Sequence, residues 1–211
     1  MSYNATGRVY IVDSDPDFGL SVQWLLEKHQ FPAEYFSDYH TFLQNYDGEM
    51  GCLMLDSQQV SVSGTSCLEH FSNQDLPLPV IMLSTTAEIN DVVLSMRQGA
   101  VDYLVKPSDE HALLRAAKYG LQVGTERFAQ YQKGIHVRDN YKALSRRERQ
   151  VMTLVVEGFA NREIAEQLGI SPKTVEVHRS RVMSKMKANS LPDLVRYSWM
   201  LEGDDSIQLA S

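Results

Sequence analysis

Short apolar runs alternate with amphipathic stretches through the first 120 residues, and helical spacing alone follows after that. The β-rich runs are 8–12, 33–36, 52–55, 80–83 and 103–105. Stretches 18–29, 39–46, 65–71 and 89–98 carry apolar residues at helical intervals. A fifth helical stretch starts at Ser108, with Gly120 and Gly124 weakening it and Gly134 expected to end it. Five strands alternating with five helices predict a doubly wound parallel sheet, because parallel neighbours need crossover helices on both faces.

Beyond residue 140 the start and stop signals predict four helices. Ser145 with Glu148 three residues later is a capping box, and Leu154, Val155 and Phe159 continue its apolar stripe. Gly158 marks a stop and Asn161 the next N-cap. The short helix 162–168 ends at Gly169, and Ser171-Pro172 opens another, with Pro in its first turn. Two helices joined by a short Gly-containing turn form a helix-turn-helix, whose second helix is suited to a major groove. Val175, Val182 and Met186 are expected to face inward, against Ile164, Ala165 and Leu168. Lys173, Glu176, Val177, Arg179, Ser180, Arg181, Lys185 and Lys187 are left outward. A last helix, 191–201, has an apolar side of Leu194, Val195 and Trp199. The expected organisation is an α/β domain over 1–120, a helical linker over 121–140, an all-α domain of four helices over 141–201, and an acidic, disordered tail over 202–211.

Charge separates the two domains. Residues 1–137 hold 8 Lys+Arg against 17 Asp+Glu, a net of −9, while 138–200 hold 12 against 7, a net of +5. The tail supplies the remaining −3 of the total −7. An acidic module joined to a basic one fits a chain whose C-terminal part meets a polyanion. Cys52 and Cys67 are the two cysteines; with no CxxC they read as buried reduced thiols, which points to the cytoplasm. No apolar run approaches a membrane span, and the first residues lack a signal-peptide pattern.

In a doubly wound sheet the site lies beyond the carboxyl ends of the strands. Asp13, Asp15, Asp56, Ser84 and Lys106 fall there. The carboxylates suit a hard divalent ion such as Mg²⁺, the hydroxyl and ammonium suit phosphoryl oxygens, and one carboxylate can act as nucleophile. In the basic half, Lys173, Thr174 and Arg181 are candidate phosphate contacts, and Glu176, Val177, Arg179 and Ser180 candidate groove contacts. Glu176 has the chemistry to accept from a cytosine amino group and Arg179 to donate to guanine.

The run LSRRERQVMTLVVEGFANREIAEQLGISPKTVEVHRSRVMSKMK, residues 144–187, resembles the LuxR/FixJ/NarL-type DNA-binding domain over its whole length. That resemblance adds His178, beside Thr174 and Val177, as a position near DNA, although its ring suits packing against the scaffold equally well. Residues 7–120 resemble the receiver domain of two-component response regulators. On that resemblance Asp13 is an acidic-pocket residue, Asp56 at the end of GCLMLD the phosphoacceptor, and Ser84 at the end of PVIMLS the switch hydroxyl. Lys106 before Pro107 matches the invariant lysine and Tyr103 the aromatic switch residue. The two halves in this order resemble FixJ-type response regulators. The resemblance implies Mg²⁺ held by Asp13, Asp15, Asp56 and the backbone carbonyl of Gln58. It also implies a sensor histidine kinase, promoter DNA, RNA polymerase and a second copy of the chain as partners, and no membrane. Catalysis would be confined to Mg²⁺-dependent self-phosphorylation and dephosphorylation. Related receivers dimerise through the fourth helix and fifth strand, and related DNA-binding domains through the last helix.

Three departures stand out. The acidic pair after the first strand is Asp13-Ser14, so one carboxylate is lost and weaker Mg²⁺ binding is expected. The loop after Asp56 reads SQQVSVSG, with Val60 where the family has Pro. Thr85 and Thr86 follow Ser84 where small residues are usual. An alternative follows from Ser14: a transcription factor gated by a ligand or partner, independent of phosphorylation, with a degenerate receiver. Asp13-x-Asp15 also resembles the nucleophile motif of haloacid-dehalogenase-type phosphatases, but the later acidic pair of that family is missing and the helix-turn-helix stays unexplained.

Overall fold

The structure, a computed structural model, describes residues 7–59, 68, 71 and 76–202. It divides into two compact units, 1–130 and 131–211. The first is built on β1 (Arg8–Val12), β2 (Ala33–Phe36), β3 (Gly51–Asp56), β4 (Val80–Ser84) and β5 (Ala100–Val105). All neighbouring strands pair parallel in the order β2-β1-β3-β4-β5. Every residue of β3 and β4 is buried, as continuous apolar runs in a sheet covered on both faces require. Tyr10, Val12, Leu53, Leu55, Val80 and Met82 face one layer, with Phe36, Phe42, Leu68 and Phe71. Val9, Ile11, Met54, Ile81 and Leu83 face the other, with Val22, Leu26, Leu113 and Leu121.

The helices of this unit are α1 (Pro16–Lys28), α2 (Tyr39–Asn45), α3 (Ile89–Arg97) and α4, which runs from Glu110 to Lys142. The helix expected over 65–71 lies outside the described residues apart from Leu68 and Phe71, as do Val60, Cys67 and the tail from 203. One expectation about α4 needs correction: Gly134 does not end it, and the helical stretch expected over 121–140 continues the last helix of the first domain as one 33-residue helix. The penalty of a helical glycine, about 1 kcal/mol, is small beside the packing on either side: Leu121 is buried with the sheet and Val137 with the C-terminal core. Gly120 and Gly124 are sites of close approach. A Cβ at Gly124 would lie 2.2 Å from the Gly51 carbonyl oxygen, and one at Gly120 2.9 Å from Cys52 Sγ. β5 also begins earlier than its apolar run, since Ala100 pairs with Val80 through a register irregularity.

The second unit contains α5 (Arg146–Val156), α6 (Asn161–Leu168), α7 (Pro172–Met186) and α8 (Leu191–Glu202). Ser145 and Glu148 form the expected capping box. Gly169 closes α6 in the left-handed conformation at φ 64°, which only glycine adopts without a Cβ penalty. Ser171 Oγ accepts from Thr174 N at 3.0 Å to start α7. Val175, Val182 and Met186 are buried with Ile164 and Ala165 as expected. On α8, Leu194 and Leu201 are buried, whereas Trp199, read as part of the apolar side, is 67% exposed. Among the described residues no helix is long and apolar enough to cross a membrane.

Candidate functional site

Parallel strands deliver their last residues to one edge of the sheet. Asp13, Asp56, Ser84 and Lys106 follow or end β1, β3, β4 and β5, and the first three are almost fully buried. Lys106 Nζ pairs with Asp13 Oδ2, and with Asp56 Oδ1 at 3.1 Å. Neither carboxylate oxygen has another hydrogen-bond donor among the described residues. Burial pushes the Asp13 carboxyl above its ordinary range, against the opposing pull of Lys106 and of the Asp15 amide, and the nearby charge of Asp56 adds to the rise. A buried carboxylate facing a second one favours a bound cation or proton for this reason.

Asp15 is not brought into the pocket. Its Oδ1 accepts from the amides of Asp17 (3.0 Å) and Phe18 (3.3 Å), which makes it the N-cap of α1. An Asp directly before Pro at the first turn of a helix is better used as a cap. The side chain beside the phosphoacceptor candidate is Ser14, whose Oγ donates to Asp56 Oδ2 at 3.2 Å. No group of three or more His, Cys, Asp or Glu suited to a metal occurs among the described residues. Gln58 is exposed and lines, with Asp56, Ser84 and Tyr103, a cavity of about 240 Å³ that extends to α3.

Ser84 Oγ is engaged on two sides. Ser57 Oγ donates to it at 3.0 Å, and Thr86 N donates at 3.2 Å. Thr86 Oγ1 in turn donates to Asp91 Oδ2 at 3.3 Å in the first turn of α3, and Tyr103 OH donates to the Thr86 carbonyl at 3.1 Å. A hydroxyl chain therefore runs from the residue after Asp56 to a helix with no buried side chain, on which Ile89, Val93, Leu94 and Met96 are exposed. Ser57, Asp91 and Phe18 were not legible as site residues. The Phe18 ring centre lies 4.7 Å from Lys106 Nζ, a cation–π contact that strand-end reasoning does not reach. Cys52 is fully buried and its thiol is pushed up by burial, which suits an inert side chain.

In the second unit Lys173, Thr174, Glu176, Val177, Ser180 and Arg181 are exposed on α7. Lys173 Nζ and Glu176 Oε2 pair at 2.8 Å. His178 and Arg179 are half-buried, and His178 Nδ1 is buried without a hydrogen-bond partner. Arg179 Nη1 donates to Asn161 Oδ1 at 2.8 Å. Lys185, expected to face outward, reaches back to Glu148 Oε2 at 2.7 Å and to the Ala143 carbonyl at 3.2 Å. That contact holds the Glu148 carboxyl down to about 2. Asn161 is not an N-cap: Ala160 occupies that position, and its amide donates to Glu163 Oε2 at 2.7 Å.

Residues 9–118 match the family described as response regulator receiver domain, and residues 142–198 the family of bacterial regulatory proteins, luxR family. The transcriptional regulatory protein FixJ of Azorhizobium caulinodans is 35% identical over 189 residues, covering 89% of this chain and 90% of FixJ. The response regulator protein TodT of Pseudomonas putida is 32% identical over 201 residues, covering 95% and 88%. Among solved structures, the response regulator StyR superposes with a TM-score of 0.68 at 32% identity, covering 92% of this chain and 98% of StyR. Full-length FixJ from B. japonicum does so with a TM-score of 0.50 at 30% identity, covering 94% and 98%.

Proposed function

The chain belongs to the response regulators that join a receiver domain to a LuxR-type DNA-binding domain, and we propose that phosphorylation of Asp56 switches its binding to promoter DNA. As a two-component transcriptional regulator its partners are DNA and a sensor kinase. A carboxylate oxygen of Asp56 attacks the phosphorus of a phosphohistidine, an acyl phosphate bond forms, the P–N bond breaks and the imidazole leaves. Asp56 itself is buried beside Lys106, whose ammonium is positioned to neutralise charge on the incoming group.

The pocket fits Mg²⁺, which keeps several waters and needs only one or two carboxylates. Asp13, Asp56 and the Gln58 carbonyl would hold it, and it would neutralise phosphoryl oxygens. Asp15 is committed to capping α1, and Ser14 contributes no charge, so the affinity is expected to fall below that of a three-carboxylate site. Turnover is limited to self-phosphorylation and dephosphorylation with this ion.

Phosphoryl on Asp56 draws the Ser84 hydroxyl away from Ser57. Thr86 and Asp91 carry that displacement to α3, and Tyr103, hydrogen-bonded to Thr86, moves with it. The result is a population shift in the face formed by α3 and β5, where the exposed Ile89, Leu94, Met96 and Val105 favour pairing with a second copy. A dimer would place two α7 helices on adjacent half-sites, within reach of RNA polymerase at a promoter. Lys173, Thr174 and Arg181 then serve phosphates, and Glu176, Val177, Arg179 and Ser180 the groove, with His178 beside them.

The observation that carries this reading is the buried Asp13–Lys106–Asp56 cluster at the edge of the sheet. Ser14 favours one second reading, a receiver gated by a ligand or protein without phosphorylation. Intact mass after incubation with acetyl phosphate and Mg²⁺ separates the two. A single phosphoryl adduct absent from Asp56→Asn supports the first; no adduct at any Mg²⁺ concentration supports the second.

A further inference from the structure

Asn161 is the first residue of α6, yet its side chain serves another helix. Capping of α6 is done by Glu163 on the Ala160 amide, which frees the Asn161 amide to accept from Arg179 Nη1, 18 residues later on α7, at 2.8 Å. A guanidinium has only donors, so the amide oxygen is the end that must face it. Arg179 makes no other hydrogen bond or ion pair among the described residues. One N–H is used, and the rest of the planar fork is left for a base edge or phosphate. Arg179 is half-buried where Val177, Ser180 and Arg181 around it are exposed.

A free arginine loses rotamer freedom when it docks on DNA, and one already held by a neighbour loses less. We infer that Asn161 is a positioning residue for DNA recognition, which fixes the Arg179 fork so that it reads sequence. This rests on the reading of Arg179 as a DNA contact. Asn161 therefore links the two helices of the helix-turn-helix through the side chain that selects the site, besides the apolar core beneath them.

The test uses the full-length protein and two fluorescent duplexes of equal length: one selected by the wild type from a random pool, and the unselected pool. The readout is the ratio of the two affinities, with thermal melting in parallel. Arg179→Ala is expected to lower the ratio by about fivefold to a hundredfold. Asn161→Ala should lower it by at least about fivefold with little change in melting, and the double variant should be no worse than Arg179→Ala, since coupled residues are not additive. Asn161→Asp keeps an acceptor and should keep the ratio, while its added charge weakens binding to both duplexes alike. A wild-type ratio in Asn161→Ala, or losses that add in the double variant, would overturn the inference. Were Arg179→Ala to leave both affinities unchanged, the reading of Arg179 as a DNA contact would fail, and the inference with it.

Discussion

Each unit buries a carboxylate against a lysine, and the two pairs are used in opposite ways. Glu148 closes the capping box of α5, accepts from the Ser145 amide at 2.7 Å and holds Lys185 at 2.7 Å. Both bonds fall on Oε2, neither oxygen is buried without a partner, and the Lys185 hydrogen bond leads the fall of its carboxyl to about 2. Asp13 sits as deep, but one oxygen meets only the Lys106 ammonium, Asp56 lies beyond, and burial drives its carboxyl up. A satisfied buried charge supports the fold, whereas an under-satisfied one is a charge held in readiness for a ligand.

The largest test of the contrast is Glu148→Ala. It removes half of a cap and leaves the Ser145 amide and Lys185 without their partner, so the second unit should lose about 2–3 kcal/mol. Hydrogen exchange of the α5 amides measures that loss, with the β3 amides as the unaffected control. Ser14→Asp should next add the missing carboxylate and tighten Mg²⁺ about tenfold by calorimetry, equivalent to about 1.4 kcal/mol. An unchanged affinity would show that Ser14 is not the weak point of the pocket. Asp13→Asn should then stabilise the metal-free first unit by about 1 kcal/mol, because it deletes a charge that burial disfavours. A loss of stability in β3 exchange would instead make the Asp13–Lys106 pair structural. The last test is the response to acid. Glu148, lowered from 4.5, contributes stability present above pH 4.5 and lost as pH falls toward about 2. Asp13, raised from 3.8, contributes stability that is fully present below pH 3.8 and lost as pH rises through its folded value. Acid should therefore weaken α5 protection more than β3 protection, and Glu148→Gln should flatten the α5 response.

Strand ends were legible because parallel strands buried on both faces are plain apolar runs, and the polar residue closing each run marks the site edge. GCLMLD and VIMLS delivered Asp56 and Ser84 in this way. Residues with two uses were not legible. Asp15 reads as a metal ligand after the first strand, whereas with Pro after it the side chain serves as the cap of α1. Asn161 reads as a cap, but Glu163 takes that work and leaves Asn161 to Arg179. Gly120 and Gly124 read as helix weakeners, whereas their missing side chains let α4 lie against β3. For Asn161 and the two glycines the deciding partner is distant in sequence, and for Asp15 the place after a strand outweighs the local cap signal in the sequence.

In the proposed mechanism the Asp56 pocket governs the DNA-binding unit. The most direct measurement is the affinity of the full-length protein for its selected duplex, before and after acetyl phosphate with Mg²⁺, on samples whose phosphoryl occupancy is read by intact mass. Coupling of the usual allosteric size predicts binding tightened about five- to 150-fold on phosphorylation, and no change in Asp56→Asn. Full occupancy of Asp56 with unchanged affinity and unchanged oligomeric state would contradict it.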